Sequence, residues 1–193
     1  MRHSVREELL GVLVFVGAIW IGFALDLLIP MSLSSLGVTP RTLAGLPGIP
    51  LMPFLHEDLR HLLSNSIPLF VLLVLLAGSN ARSWSVVVCI VLIGGILLWA
   101  FGRPATHIGA SGLVYGLIAF LIVSGILERR IVPLLISVFV GFMYGGTLLA
   151  GIVPSLGSHI SWEGHLFGAI AGGMVAWLLT RQSNSPSAGV SRY

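Results

Sequence analysis

Ser111, in the string Gly109-Ala110-Ser111-Gly112, and His165, 54 residues later, each stand near the start of an apolar stretch of membrane-spanning length. Serine is a weak nucleophile until a neighbouring base takes its proton, and a neutral imidazole suits that task near neutral pH. Hydrocarbon penalises polar groups without partners, so side chains at such depth serve each other, a cavity or a reaction. The pair therefore predicts intramembrane Ser-His acyl transfer. Glu163 lies two residues before His165, about 200° around a helix, so the spacing predicts a dyad without an orienting carboxylate. Acyl transfer also needs donors for the oxyanion, each worth about 3 to 4 kcal/mol in a preorganised site. His61 and Asn65 are four residues apart, share a helix face and can both donate. The Ser111 N–H at a helix start can add a third donor.

The elements that must position these residues follow from composition. The chain has 193 residues, of which 56% are hydrophobic and 9% charged, and its mean hydropathy is +1.02. That balance cannot cover a water-soluble globule with polar surface. Six apolar runs, residues 9–29, 62–78, 84–101, 108–127, 131–152 and 162–180, each approach the roughly 20 residues that span a bilayer. The first is too long for a signal peptide and lacks a small-residue cleavage site, so it reads as a retained helix.

All ten basic residues are arginine. With the N-terminus inside, Arg2, Arg6, Arg82, Arg129, Arg130, Arg181 and Arg192 fall inside, and Arg41, Arg60 and Arg103 outside. The positive-inside tendency then places both termini in the cytoplasm. Residues 1–8 read as a cytoplasmic N-terminus, 9–180 as the six-helix domain and 181–193 as a disordered polar tail. The dispersed arginines form no patch that could track nucleic-acid phosphates. In this orientation the second, fourth and sixth runs all begin on the outer side, so His61 and Asn65, Ser111 and Tyr115, and His165 converge at one depth.

Other features support or compete with that site. Gly109 and Gly112 flank the serine, while Gly164, Gly168 and Gly172 repeat every four residues around the histidine, a spacing that lets helices approach closely in lipid. Tyr115, one turn past Ser111, is placed to pack on the His165 ring. The proline-rich stretch of residues 30–61 reads as a structured loop lying along the membrane surface. Its string His56-Glu57-Asp58-Leu59-Arg60-His61 superficially suggests a zinc site, but histidines five apart would diverge by about 140° on a helix. Asp58 reads instead as a helix N-cap and His56 as a supporting loop residue. The chemistry calls for no metal or organic cofactor. Glycine-rich segment 131–152 is the candidate lateral gate.

Together these residues resemble the rhomboid family of intramembrane serine proteases. The resemblance covers roughly residues 40–177 and rests on Phe54-Leu55-His56 continuing to His61-Leu62-Leu63-Ser64-Asn65, on Gly109-Ala110-Ser111-Gly112 with Tyr115, and on His165 with Gly168 and Gly172. It implies an all-α, six-transmembrane-helix bundle of the minimal bacterial type in the plasma membrane, with a water-filled site open to the outside. It also implies Ser111 as nucleophile, His165 as general base and acid, and His61 with Asn65 as oxyanion donors, acting on the transmembrane segments of other proteins. Many relatives carry a Trp-Arg pair in the first outer loop; here Arg41 follows Pro40 and no tryptophan lies between Pro30 and His61. A catalytically silent rhomboid-like escort protein is the alternative, but it would normally lack the serine or histidine. A proton-coupled transporter would instead spread its polar residues across the membrane.

Overall fold

A computed structural model describes residues 5–30, 32–79, 83–154 and 161–184. Its helices are α1 (Val5–Leu28), the short α2 (Gly48–Leu51), α3 (Leu59–Ser79), α4 (Ser83–Phe101), α5 (Ser111–Glu128), α6 (Ile131–Gly151) and α7 (Trp162–Asn184). The six apolar runs thus become the six long helices. α7 continues past Thr180, where the tail was expected to begin, and residues 185–193 lie outside the described region.

Five of the six, all but α7, are long and apolar enough to cross a membrane. α7 has the length, 23 residues, but Glu163, His165 and its glycines dilute its hydropathy. It packs along α5 and α4, so fewer of its positions need to suit lipid.

The bundle is organised around α5, which touches α3, α4, α6 and α7 and is buried almost continuously from Gly112 to Leu121. Leu62, Leu69, Leu72, Leu73 and Leu76 of α3, Val86 and Ile90 of α4, and Ala171 and Val175 of α7 complete the core. The flanking helices are the reverse. Leu10, Leu13, Val14 and Ile21 of α1 and Leu135, Val138, Phe142 and Leu149 of α6 are exposed, with Phe142 at 86%. So much apolar surface fits hydrocarbon, not water.

The segment between α1 and α3 is structured, as expected. Three short 3₁₀ turns (Leu33–Leu36, Leu43–Gly45 and Met52–Phe54) and α2 fold over a small satellite core of Val38, Ile49, Met52 and Leu98. Its bracing was the open question left by the missing Trp-Arg pair, and the structure supplies a tryptophan from another element. Trp99 of α4 donates its indole N–H to the Thr42 carbonyl at 2.8 Å. Arg41, with φ at 59°, donates its main-chain N–H to the Trp99 carbonyl and its guanidinium to the Gly102 carbonyl at 2.8 Å. A cation thereby meets carbonyls at the C-terminal end of α4, where the helix dipole is negative.

Removing these bonds with Arg41→Ala or Trp99→Phe is expected to cost about 1 kcal/mol each, or a few degrees of melting temperature. Faster proteolytic nicking between residues 41 and 55 should accompany the loss.

Candidate active site

The N-terminal ends of α3, α5 and α7 meet. α3 starts at Leu59 because the Asp58 carboxylate caps it, accepting the His61 N–H at 2.7 Å. The segment before α5 turns at Gly109, whose φ of 104° suits glycine. A β-carbon there would also lie 2.6 Å from Nε2 of His61 and 3.5 Å from Nδ2 of Asn65. That absent side chain brings the two donors of α3 against the serine loop. Asn65 is 4% exposed and gives one amide hydrogen to the His61 carbonyl at 3.1 Å, leaving its second available.

Ser111 is the first residue of α5, so its N–H has no intrahelical acceptor. Ser111 is half-buried, and its hydroxyl makes no hydrogen bond to another described residue. The Tyr115 ring, one turn further on, lies flat against the His165 imidazole, with ring centroids 4.0 Å apart and planes 5° from parallel. The Tyr115 hydroxyl donates to the Thr147 carbonyl at 3.0 Å. His165 Nδ1 lies 3.0 Å from the Gly151 carbonyl. A carbonyl only accepts, so that nitrogen carries the proton and the neutral ring keeps its lone pair on Nε2. The last turn of α6 thus orients both rings.

α5 and α7 come together at the glycines. A β-carbon on Gly112 would touch the Gly164 carbonyl, one on Gly168 would overlap the Gly112 carbonyl, and one on Gly172 the Gly116 carbonyl. The starts of the two helices that bear Ser111 and His165 are therefore brought together by direct main-chain contact.

His56 corrects one argument made from spacing. It precedes α3 instead of lying on it, so helical angles do not separate it from His61; the two rings meet edge to face, 5.0 Å apart. No cluster of three or more metal-ligating side chains occurs among the described residues. His56 is 1% exposed, and neither ring nitrogen has a hydrogen-bond partner of ordinary geometry. Burial first, and the adjacent His61 second, lower its pKa to about 4, with the Phe54 carbonyl acting in the opposite sense.

Because the folded value lies below the unfolded value of 6.5, the stability linked to His56 is whole above that pH and drains away as pH falls toward 4. The expected loss is roughly 2 kcal/mol by pH 5. Melting temperatures measured between pH 7 and pH 5 should fall less steeply for His56→Phe than for the unchanged protein.

Sequence reasoning missed a second set of contacts beside the site. His107, 2% exposed, pairs through its backbone with Val38 in both directions, at 2.9 and 2.8 Å. Its Nδ1 lies 2.7 Å from Ser161 Oγ, and its Nε2 3.2 Å from the Arg103 carbonyl. Ser161 Oγ also accepts the Gly164 N–H at 3.2 Å, capping α7. Glu163 faces Arg103, 3.5 Å from its Nε. The only signal in the sequence was the position of a serine just before an apolar run.

The rhomboid domain family matches residues 48–182. Uncharacterized proteins of Mycobacterium tuberculosis and Mycobacterium bovis are each 40% identical over 179 residues, covering 88% of this chain and 74% of theirs. An uncharacterized protein of Mycobacterium leprae is 39% identical, covering 88% of this chain and 70% of its own. No solved structure matches the chain at significant similarity. With the matched region spanning all three helix starts that form the site, this chain is a multi-pass membrane protein and belongs to the rhomboid family.

Proposed function

We propose that this protein is an intramembrane serine endopeptidase that cleaves transmembrane segments of other membrane proteins. The observation that carries the reading is the state of His165: Nδ1 is committed to the Gly151 carbonyl, so the lone pair that could take a serine proton is on Nε2. Ser111 Oγ attacks a peptide carbonyl while its proton passes to His165 Nε2. His61, Asn65 and the Ser111 N–H donate to the oxyanion. The C–N bond then breaks, the leaving amine takes the proton from His165, and water hydrolyses the acyl-enzyme by the same steps. No metal or organic cofactor enters this sequence.

The arginine distribution supports a site opening to the outer side of a bacterial plasma membrane with both termini in the cytoplasm. A substrate helix must unwind to expose its backbone, so small or helix-weakening residues near the outer face are the preferred targets. α6 is the gate we favour, since β-carbons on Gly141, Gly145 and Gly146 would meet nothing within 4 Å.

A fluorophosphonate reagent tests the reading directly. It should label Ser111 in the purified protein and fail to label the His165→Ala variant. Absence of labelling at Ser111 in the unchanged protein would favour a silent escort role instead.

A further inference from the structure

The two segments that deliver Ser111 and His165 are tied together by the residues four positions earlier in each, His107 and Ser161. Ser161 Oγ already accepts the Gly164 N–H, so its hydroxyl hydrogen is free to point at His107 Nδ1, 2.7 Å away. The opposite ring nitrogen donates to the Arg103 carbonyl, an acceptor only, which makes Nδ1 the acceptor of a neutral ring. Burial holds the pKa of His107 below its ordinary value, consistent with that form; the Arg103 carbonyl and Glu163 oppose burial, while the Arg103 charge adds to it. The Arg103–Glu163 ion pair ties the same two segments a second time. Glu163 is 4% exposed and its Oε2 has no hydrogen-bond partner, so the carboxylate depends on Arg103. The backbone pairing of His107 with Val38 fixes this junction to the loop between α1 and α3.

We infer that His107 is a positioning residue for the Ser111–His165 pair: through Ser161 it sets where the first turn of α7 stops against the serine loop. The inference rests on the serine-protease reading. It assigns His107 no contact with substrate. Its effect is on the distance and angle between two groups, to which a proton transfer is steeply sensitive.

The test uses the full chain in detergent with a fluorogenic single-span substrate, each variant first shown to be monodisperse and to melt cooperatively. His107→Ala is expected to lower kcat about 10- to 100-fold at unchanged KM. His107→Asn, whose Oδ1 can accept where Nδ1 does, should restore most of the rate. Ser161→Ala, which also removes the Gly164 cap, should be slow, and His107→Ala/Ser161→Ala little slower than the slower single variant, because the His107–Ser161 bond is lost in both. Wild-type kcat in His107→Ala, an Asn variant as slow as the Ala variant, or losses that multiply in the double variant would each overturn the assignment. If His107→Ala does not fold, Ser161→Ala against the hydroxyl-bearing Ser161→Thr decides, with an equally slow Thr variant counting against it. A wild-type chain with no Ser111-dependent cleavage brings down the protease reading and this inference together, an outcome distinct from an active enzyme indifferent to His107.

Discussion

Ser111→Ala and His165→Ala are each expected to lower kcat for cleavage of a labelled single-span substrate by about four to six orders of magnitude, and the double variant no further. In the proposed mechanism, loss of the serine hydroxyl leaves no acyl-enzyme. Without the imidazole the assigned base is lost, and Glu163 is engaged with Arg103. The two losses are one loss, since the groups act as a unit, and the residue should reflect only the oxyanion donors and substrate binding. Asn65→Ala and His61→Ala should fall well short of this, at about two to three orders of magnitude, as expected for single oxyanion donors. Purified protein incubated with substrate, with product followed by gel, measures all of these. Undiminished cleavage by the Ser111 variant would end the serine-protease reading.

The second large effect lies on the seam between α5 and α7. Gly168→Ala would drive a β-carbon into the Gly112 carbonyl oxygen, and Gly172→Ala into that of Gly116. Both obstacles are helix backbone, which cannot swing aside as a side chain can, so α7 must move outward. Each substitution is expected to cost about 1 to 3 kcal/mol in thermal unfolding, with valine worse than alanine. Activity should suffer more than stability. Displacing the His165 helix by even an ångström is worth about 100-fold in rate. Gly173 provides the contrast, because a β-carbon there would meet nothing within 4 Å. Gly173→Ala should melt no lower than the unchanged protein, since alanine is the better helix former. Equal losses at positions 168 and 173 would contradict the close-approach account.

What could be read in advance divides along physical lines. Apolar runs announced the six long helices because lipid imposes a length and a hydropathy on each. The Gly164, Gly168 and Gly172 repeat pointed to close helix contact because small residues on one face have few other uses in a membrane. Asp58 as a cap and Tyr115 against His165 followed from spacings of three and four residues, and the structure shows both contacts. The contacts that escaped are of another kind. Trp99 and Arg41 brace one loop from two elements 58 positions apart, and His107 meets Ser161 across 54. No periodicity encodes such pairs. The Gly151 and Thr147 carbonyls orient two rings with groups that every residue possesses, so nothing in the side-chain alphabet marks them.

The α5–α7 seam has one more consequence. Where Gly112 and Gly116 meet Gly168 and Gly172, α5 and α7 touch main chain to main chain, and the side chains that reach these glycines, Ile90 and Met52, come from other elements. Such a joint cannot be retuned by repacking, the usual way cores adapt to a changed neighbour. The separation of the two helices is a property of the peptide unit itself, so mutational drift elsewhere in the bundle can alter lipid-facing surfaces and loops while the spacing that serves Ser111 and His165 stays the same.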